Sequence, residues 1–185
     1  MELQNDSDGE ATLLYLEPLN WFIIKRNEGF GVRLHDSESP YIHQLKDIET
    51  YAIDPAWRLE ARFKPYEQTK IMTTVTASGA IRNLQSSGSL MFEINEKTYK
   101  LDVMDRSNSD GYFLIFGDET NGEKTYEGGR FIIIEKSEAD GTTIIDFNKS
   151  YNPPCALAKF YVCPLPPQQN RLSIKITAGE KIYTH

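Results

Sequence analysis

The stretch WRLEARF, Trp57 to Phe63, alternates apolar and charged residues without a break. A strand turns successive side chains to opposite faces, so Trp57, Leu59, Ala61 and Phe63 share one face and Arg58, Glu60 and Arg62 the other. The same alternation predicts strands at WFIIKR (21–26), FGVRLH (30–35), KIMTTVT (70–76), SLMFEI (89–94), TYKLDVM (98–104) and RLSIKIT (171–177), with SLMFEI-NEK-TYKLDVM read as a hairpin. YFLIF (112–116), RFIIIE (130–135) and TTIIDF (142–147) are apolar runs of strand length. No segment carries a helical i, i+3, i+4, i+7 stripe over three turns. Only HQLKDIETY (43–51) suits a short helix, ending near the Asp54-Pro55 break.

About ten closely spaced strands predict an all-β, mainly antiparallel fold, a single barrel-like or sandwich domain with long C-terminal loops and at most a short helix. Residues 1–18 read as an N-terminal tail or remnant strand, and 19–185 as one β-rich domain.

Composition narrows the partners. A chain of 185 residues is long enough for a sizeable core. Its formal net charge of −7, with no run of Lys or Arg, removes the attraction that drives non-specific binding to nucleic acid. No apolar run approaches the roughly 20 residues of a membrane span, and the first ten residues are polar, so the expectation is a cytoplasmic protein with neither a nucleic-acid nor a membrane partner. Asn5-Asp6-Ser7 and Asn148-Lys149-Ser150 match the glycosylation triplet, a pattern common by chance.

Two connections exceed what joining strands requires. GDETNGEKTYEGGR runs from Gly117 to Arg130, and NKSYNPPCALAKFYVCPLPPQQN from Asn148 to Asn170, the latter stiffened by five prolines. If strand 112–116 runs up, 130–135 runs down and 142–147 up again, both loops emerge at the same end. Loops converging on one end of a scaffold are where ligand sites form.

That end supplies the candidates. Asn121, Thr125, Tyr126, Arg130, Asn148, Tyr151, Asn152 and Arg171 are the groups expected to read a small polar or anionic ligand, the arginines as bidentate clamps. Asp118 and Asp146 are the candidate acid and base of an alternative hydrolase reading, with or without a divalent metal. A third alternative is a structural or interaction module in which the same side chains fix the loops. Arg130 with Asp146 is the ion pair expected in that case.

Cys155 and Cys163 are separated by seven residues, neither a CxxC redox spacing nor a zinc knuckle, and are assigned a structural role. His35 and His43 flank a turn and, with the terminal His185, suggest no metal set. No GxSxG elbow, phosphate loop, GxGxxG turn or HExxH pair is present, so no cofactor is named.

FGDETNGEKTYEGGRF, IDFNKSYNPPC and CPLPPQQNRL, taken in order, resemble the signature of the domain of unknown function 1684 family of bacteria and archaea. The resemblance extends upstream through YAIDPAWRLEARFKPY and NEGFGVRLHDSESP, and departs after Cys155 at LAKFYVC. It implies no activity, because the family has none assigned.

Overall fold

A computed structural model describes residues 2–7, 9–26, 29–76, 79–105 and 111–184. The chain divides into two units, Met1–Lys46 and Asp47–His185. In the first, β1 (Leu14–Leu16), β2 (Leu19–Arg26) and β3 (Gly29–Asp36) form an antiparallel meander in that order. Trp21 pairs with Leu34 and Ile23 with Val32, so these apolar positions share a face. The expected helix at 43–51 is displaced. Pro40 opens a single short helix, α1 (Pro40–Gln44), because its fixed φ suits a first turn, and residues 45–49 are irregular.

The second unit contains β4 (Arg58–Val75), β5 (Ile81–Ile94), β6 (Lys97–Asp102), β7 (Gly111–Phe116), β8 (Arg130–Glu135) and β9 (Thr142–Asp146). WRLEARF and KIMTTVT, expected as two strands, are one long β4 whose register against β5 shifts between Pro65 and Lys70. Proline donates no ladder bond, so the strand bulges there and continues. The hairpin between β5 and β6 turns on Asn95 and Glu96, both at positive φ, with Ile94 opposite Lys97.

Hydrogen-bonded ladders give the order β6-β5-β4-β9 in one sheet and β7-β8 in another. A bridge between Met104 and Phe113 joins β6 to β7. The six strands therefore run around one core as an open barrel whose ladders break twice, at β6–β7, where only that bridge just past β6 forms, and at β8–β9. At the β8–β9 seam the Thr143 hydroxyl donates to the Glu135 carbonyl (2.9 Å), and no ladder forms.

Leu90, Phe92, Leu101, Leu114, Phe116, Ile132, Ile145 and Phe147 fill the interior. Each such side chain contributes roughly 1.5–3 kcal/mol by leaving water. Phe147 is the hub, its ring meeting Trp57, Phe92 and Phe116 edge-on or tilted at 5.4–6.2 Å. A second cluster of Met72, Met104, Ile115, Phe131 and Cys163 is completed by Leu84, Phe113, Tyr151 and Cys155. Ile115 and Phe131 alternate with barrel-filling Leu114, Phe116 and Ile132, so this cluster lies on the outer face of β7 and β8. The proline-rich segment straps over it, with Leu165 bonded through its N–H to Val75 and through its carbonyl to the Thr74 hydroxyl.

RLSIKIT is not a ladder strand. Leu172, Ile176 and Ala178 enter the core, but the segment is tied by single bonds, Leu172 N–H to Gly117 O and Glu119 N–H to Ile174 O. Its alternation is that of a buried extended segment, which periodicity does not separate from a paired strand.

Candidate functional site

The two long loops meet. Gly117 bridges Arg171, Phe131 bridges Tyr151, and the Tyr126 hydroxyl reaches the sulfur of Cys155 at 3.7 Å. Most of the polar groups brought together there are occupied with one another.

Asp118 and Arg130 form an ion pair at 2.8 Å, and both side chains are completely shielded from solvent. The other carboxylate oxygen of Asp118 accepts the Thr120 N–H (2.9 Å) and hydroxyl (2.6 Å) and the Ile176 N–H (3.2 Å). Arg130 donates in addition to the carbonyls of Ile176, Ala178 and Glu180. The expected pairing of Arg130 with Asp146 is thus corrected to Asp118, twelve residues away in its own loop. A guanidinium fork suits this position because it satisfies several acceptors at fixed angles.

Asn121 accepts the Asp118 N–H at 2.7 Å and donates to the Thr125 hydroxyl and the Tyr126 carbonyl. Thr125 is buried and bonded to Thr120. Asn152 holds the 180–181 segment through Glu180 Oε2 (2.7 Å) and the Lys181 carbonyl (2.8 Å). Asn148 clasps Asp54 through two bonds. Asp146 caps the 3-10 turn Phe147–Lys149 by accepting from the Asn148 N–H and amide. Arg171 is exposed, and Tyr126 and Tyr151 are half-buried.

Asp118 and Asp146 do not make an acid–base couple of ordinary kind. Proton transfer requires a carboxyl within reach of substrate or water. Asp118 has neither access nor a free lone pair directed outward, because its environment is an arginine and three N–H or O–H donors. Among the described residues no group of three or more His, Cys, Asp or Glu is arranged to hold a metal ion, and no helix is long and apolar enough to cross a membrane.

The seam between β8 and β9 opens as a groove of about 610 Å³. Asp146 lines it together with Arg58, directly opposite in the β4–β9 register, and Lys149. Glu135, Lys136 and Glu138 line the other end, toward the turn that joins β8 to β9. Between lie Ile133, Ile144, Thr142 and Thr143. Arg58, Lys136 and Lys149 are exposed, and none enters an ion pair among the described residues. Alternation marks Arg58 as a solvent-facing strand residue and nothing more. Its role at the groove follows from the missing β8–β9 ladder, which no local pattern signals. A second groove of about 500 Å³ lies over Leu59, Ala61, Met91 and Phe92. Neither groove includes a residue of the 117–130 loop except through the strand that follows it.

The sulfurs are unpaired by any disulfide. The Cys155 N–H donates to Cys163 Sγ at 3.3 Å. A hydrogen bond from the Cys163 thiol, with another from Tyr126, holds the Cys155 thiol down to about 6, against burial that opposes it. Cys163 is pushed up by the same bond to Cys155 and by burial. Tyr126 is pushed up by burial and by its hydrogen bond to Cys155.

The model of a family described as protein of unknown function (DUF1684) matches residues 43–181. The chain belongs to the DUF1684 family. A solution NMR structure of an uncharacterised protein of Haloarcula marismortui is similar to it, with a TM-score of 0.62 and 28% identity over 76% of this chain and 78% of that one. A search of curated proteins finds no match. The DUF1684 match takes in both long loops, both cysteines and all six barrel strands.

Proposed function

We propose that this DUF1684 member is a binding module whose ligand lies in the β8–β9 seam, a small polar molecule with an anionic group directed at Arg58 and Lys149 and a cationic group directed at Glu135 and Glu138. The observation that carries this reading is the contrast in commitment: Asn121 is fully bonded within its loop and Arg130 is tied to Asp118 and three carbonyls, whereas Arg58 and Lys149 enter no ion pair among the described residues at the mouth of a groove of about 610 Å³. That volume falls in the range of small-molecule sites. The Arg58–Asp146–Lys149 end carries one net positive charge and the Glu135–Lys136–Glu138 end one net negative charge. Thr142 to Asp146 separates them by about 13 Å at the rise of a strand, the length of a short extended zwitterion such as a peptide.

A second reading, a structural platform, is favoured for the loop end itself by its internal wiring. The hydrolase alternative has less support, since Asp118 is sealed from water.

The experiment is an amide chemical-shift titration with triglycine, succinate and inorganic phosphate as probes. Shifts centred on residues 133–136 and 142–149, abolished by Arg58→Glu, are expected for triglycine. Shifts centred on 117–130 and 150–171 would return the ligand to the loop end, and no shifts at millimolar probe would sink the binding reading.

A further inference from the structure

We propose that Cys155 and Cys163 are a redox-active dithiol that reduces small-molecule disulfides, with Cys155 as the attacking sulfur, Cys163 as the resolving sulfur and the Tyr126 hydroxyl as the group that positions and stabilises the attacking thiolate. This inference is independent of the ligand groove. It rests on three groups from three places in the chain meeting at one point: Tyr126 near the end of the first loop, Cys155 in the first turn of α2 (Pro154–Leu157), and Cys163 at the start of the strap.

The two sulfurs differ as the two roles require. Cys155 is partly exposed, receives the Tyr126 hydroxyl at 3.7 Å and is held down to about 6, so it is a thiolate near neutral pH. Cys163 is buried among Met72, Met104, Ile115 and Phe131, its sulfur accepts the Cys155 N–H at 3.3 Å, and burial beside Cys155 favours its protonated form. A thiolate is the nucleophile in disulfide exchange, and it is formed where donors surround the sulfur. With Cys163 Sγ 3.3 Å from the Cys155 amide nitrogen, the two sulfurs are near neighbours and need only side-chain rotations to bond. Next to Cys163 in the chain, Phe160, Tyr161 and Val162 are exposed, an apolar shoulder beside the reacting sulfurs.

The steps balance without a further co-reactant. The Cys155 thiolate attacks one sulfur of a substrate disulfide, the substrate S–S bond breaks, one substrate half stays on Cys155 as a mixed disulfide, and the other leaves as a thiolate. That thiolate takes the Cys163 proton. The Cys163 sulfur then attacks Cys155 Sγ, the mixed disulfide breaks, and the second substrate half leaves as a thiolate that takes a solvent proton. The protein ends oxidised by two electrons with a Cys155–Cys163 bond, and the substrate ends as two thiols.

The test exposes full-length protein to oxidised glutathione at pH 7, quenches with acid and weighs the denatured chain. Wild type is expected to lose two hydrogens and regain them in reduced glutathione. Cys163→Ser is expected to accumulate one glutathione, mapped to the Cys155 peptide, and Cys155→Ser none. An unmodified wild type, label on Cys163 in preference to Cys155, or a disulfide that millimolar reduced glutathione does not reopen would each overturn the proposal, the last marking a permanent staple. Unmutated protein gives a separate check: iodoacetamide alkylation of Cys155 should reach half its limiting rate near pH 6, and a midpoint in the ordinary thiol range would also overturn it.

Discussion

Arg130 Nη2 lies 2.8 Å from Asp118 Oδ2 with both side chains at zero exposure, and the same guanidinium collects the carbonyls of residues 176, 178 and 180. Removing either partner leaves a buried charge without its counterion, at a cost of about 3–5 kcal/mol. Asp118→Asn and Arg130→Met should each lower urea-denaturation stability by that order. In a double-mutant cycle the pair should lose less than the sum of the two, and full additivity would mean that the ion pair is not coupled.

Asn170 is fully buried and stitches β6 to β7. Its side-chain oxygen accepts the Asp102 N–H (2.8 Å), and its amide donates to the carbonyls of Asp102 (2.8 Å) and Ile115 (3.0 Å). Asn170→Ala strands a buried N–H and two carbonyls, each costing about 1–3 kcal/mol. A fall in thermal midpoint of many degrees is expected, with hydrogen exchange accelerated first at Asp102 and its neighbours.

Gly122 and Gly129 both sit in the left-handed region, at φ of 81° and 83°. An alanine Cβ at Gly122 meets nothing closer than Glu127 Cβ at 3.9 Å, whereas at Gly129 it meets the Phe116 carbonyl at 2.5 Å and the Pro166 ring. Gly122→Ala should therefore cost only the backbone term, about 1–2 kcal/mol. Gly129→Ala should cost measurably more in the same denaturation assay, and equal losses would contradict the close approach of the strap to the loop.

The Cys155 thiol is held down to about 6 in the fold, first by the Cys163 thiol and then by the Tyr126 hydroxyl. The fold thus favours the thiolate relative to the unfolded chain. The stability this contributes is fully present above the ordinary thiol value and fades as pH falls toward about 6. The stability difference between wild type and Cys155→Ser should shift by the corresponding amount between pH 9 and pH 6. Tyr126→Phe should move the midpoint of Cys155 alkylation upward, while a purely packing role for Tyr126 would leave that midpoint in place.

Particular residues show which parts of this architecture were readable in advance. Ala61 is buried and Leu59 and Phe63 half-buried, as the alternation in WRLEARF requires, and the Asn95-Glu96 turn falls inside the expected hairpin. Convergence of the long loops followed from counting strand directions, and Tyr126 against Cys155 realises it. What local patterns missed has long-range causes. Ile174 and Ile176 alternate as in a strand because they are buried, yet their bonds run to Glu119 and to the Asp118 carboxylate instead of a ladder. WRLEARF and KIMTTVT, expected as two strands, join into one across the bulge after Pro65 because β5 continues on the far side of it. The open seam depends on β8 and β9 failing to pair, a property of the whole strand arrangement that neither strand encodes alone.

The carbonyls that receive Arg130 belong to residues made after every strand of the barrel. Domains begin to fold while synthesis proceeds. A nascent chain in which Ile176 to Glu180 are still inside the ribosome has all six strands and Asp118 available but lacks the three carbonyls that complete the shell of the Arg130 guanidinium. Completion of the core must then wait for translation to run past that point, which makes the late segment a checkpoint on assembly.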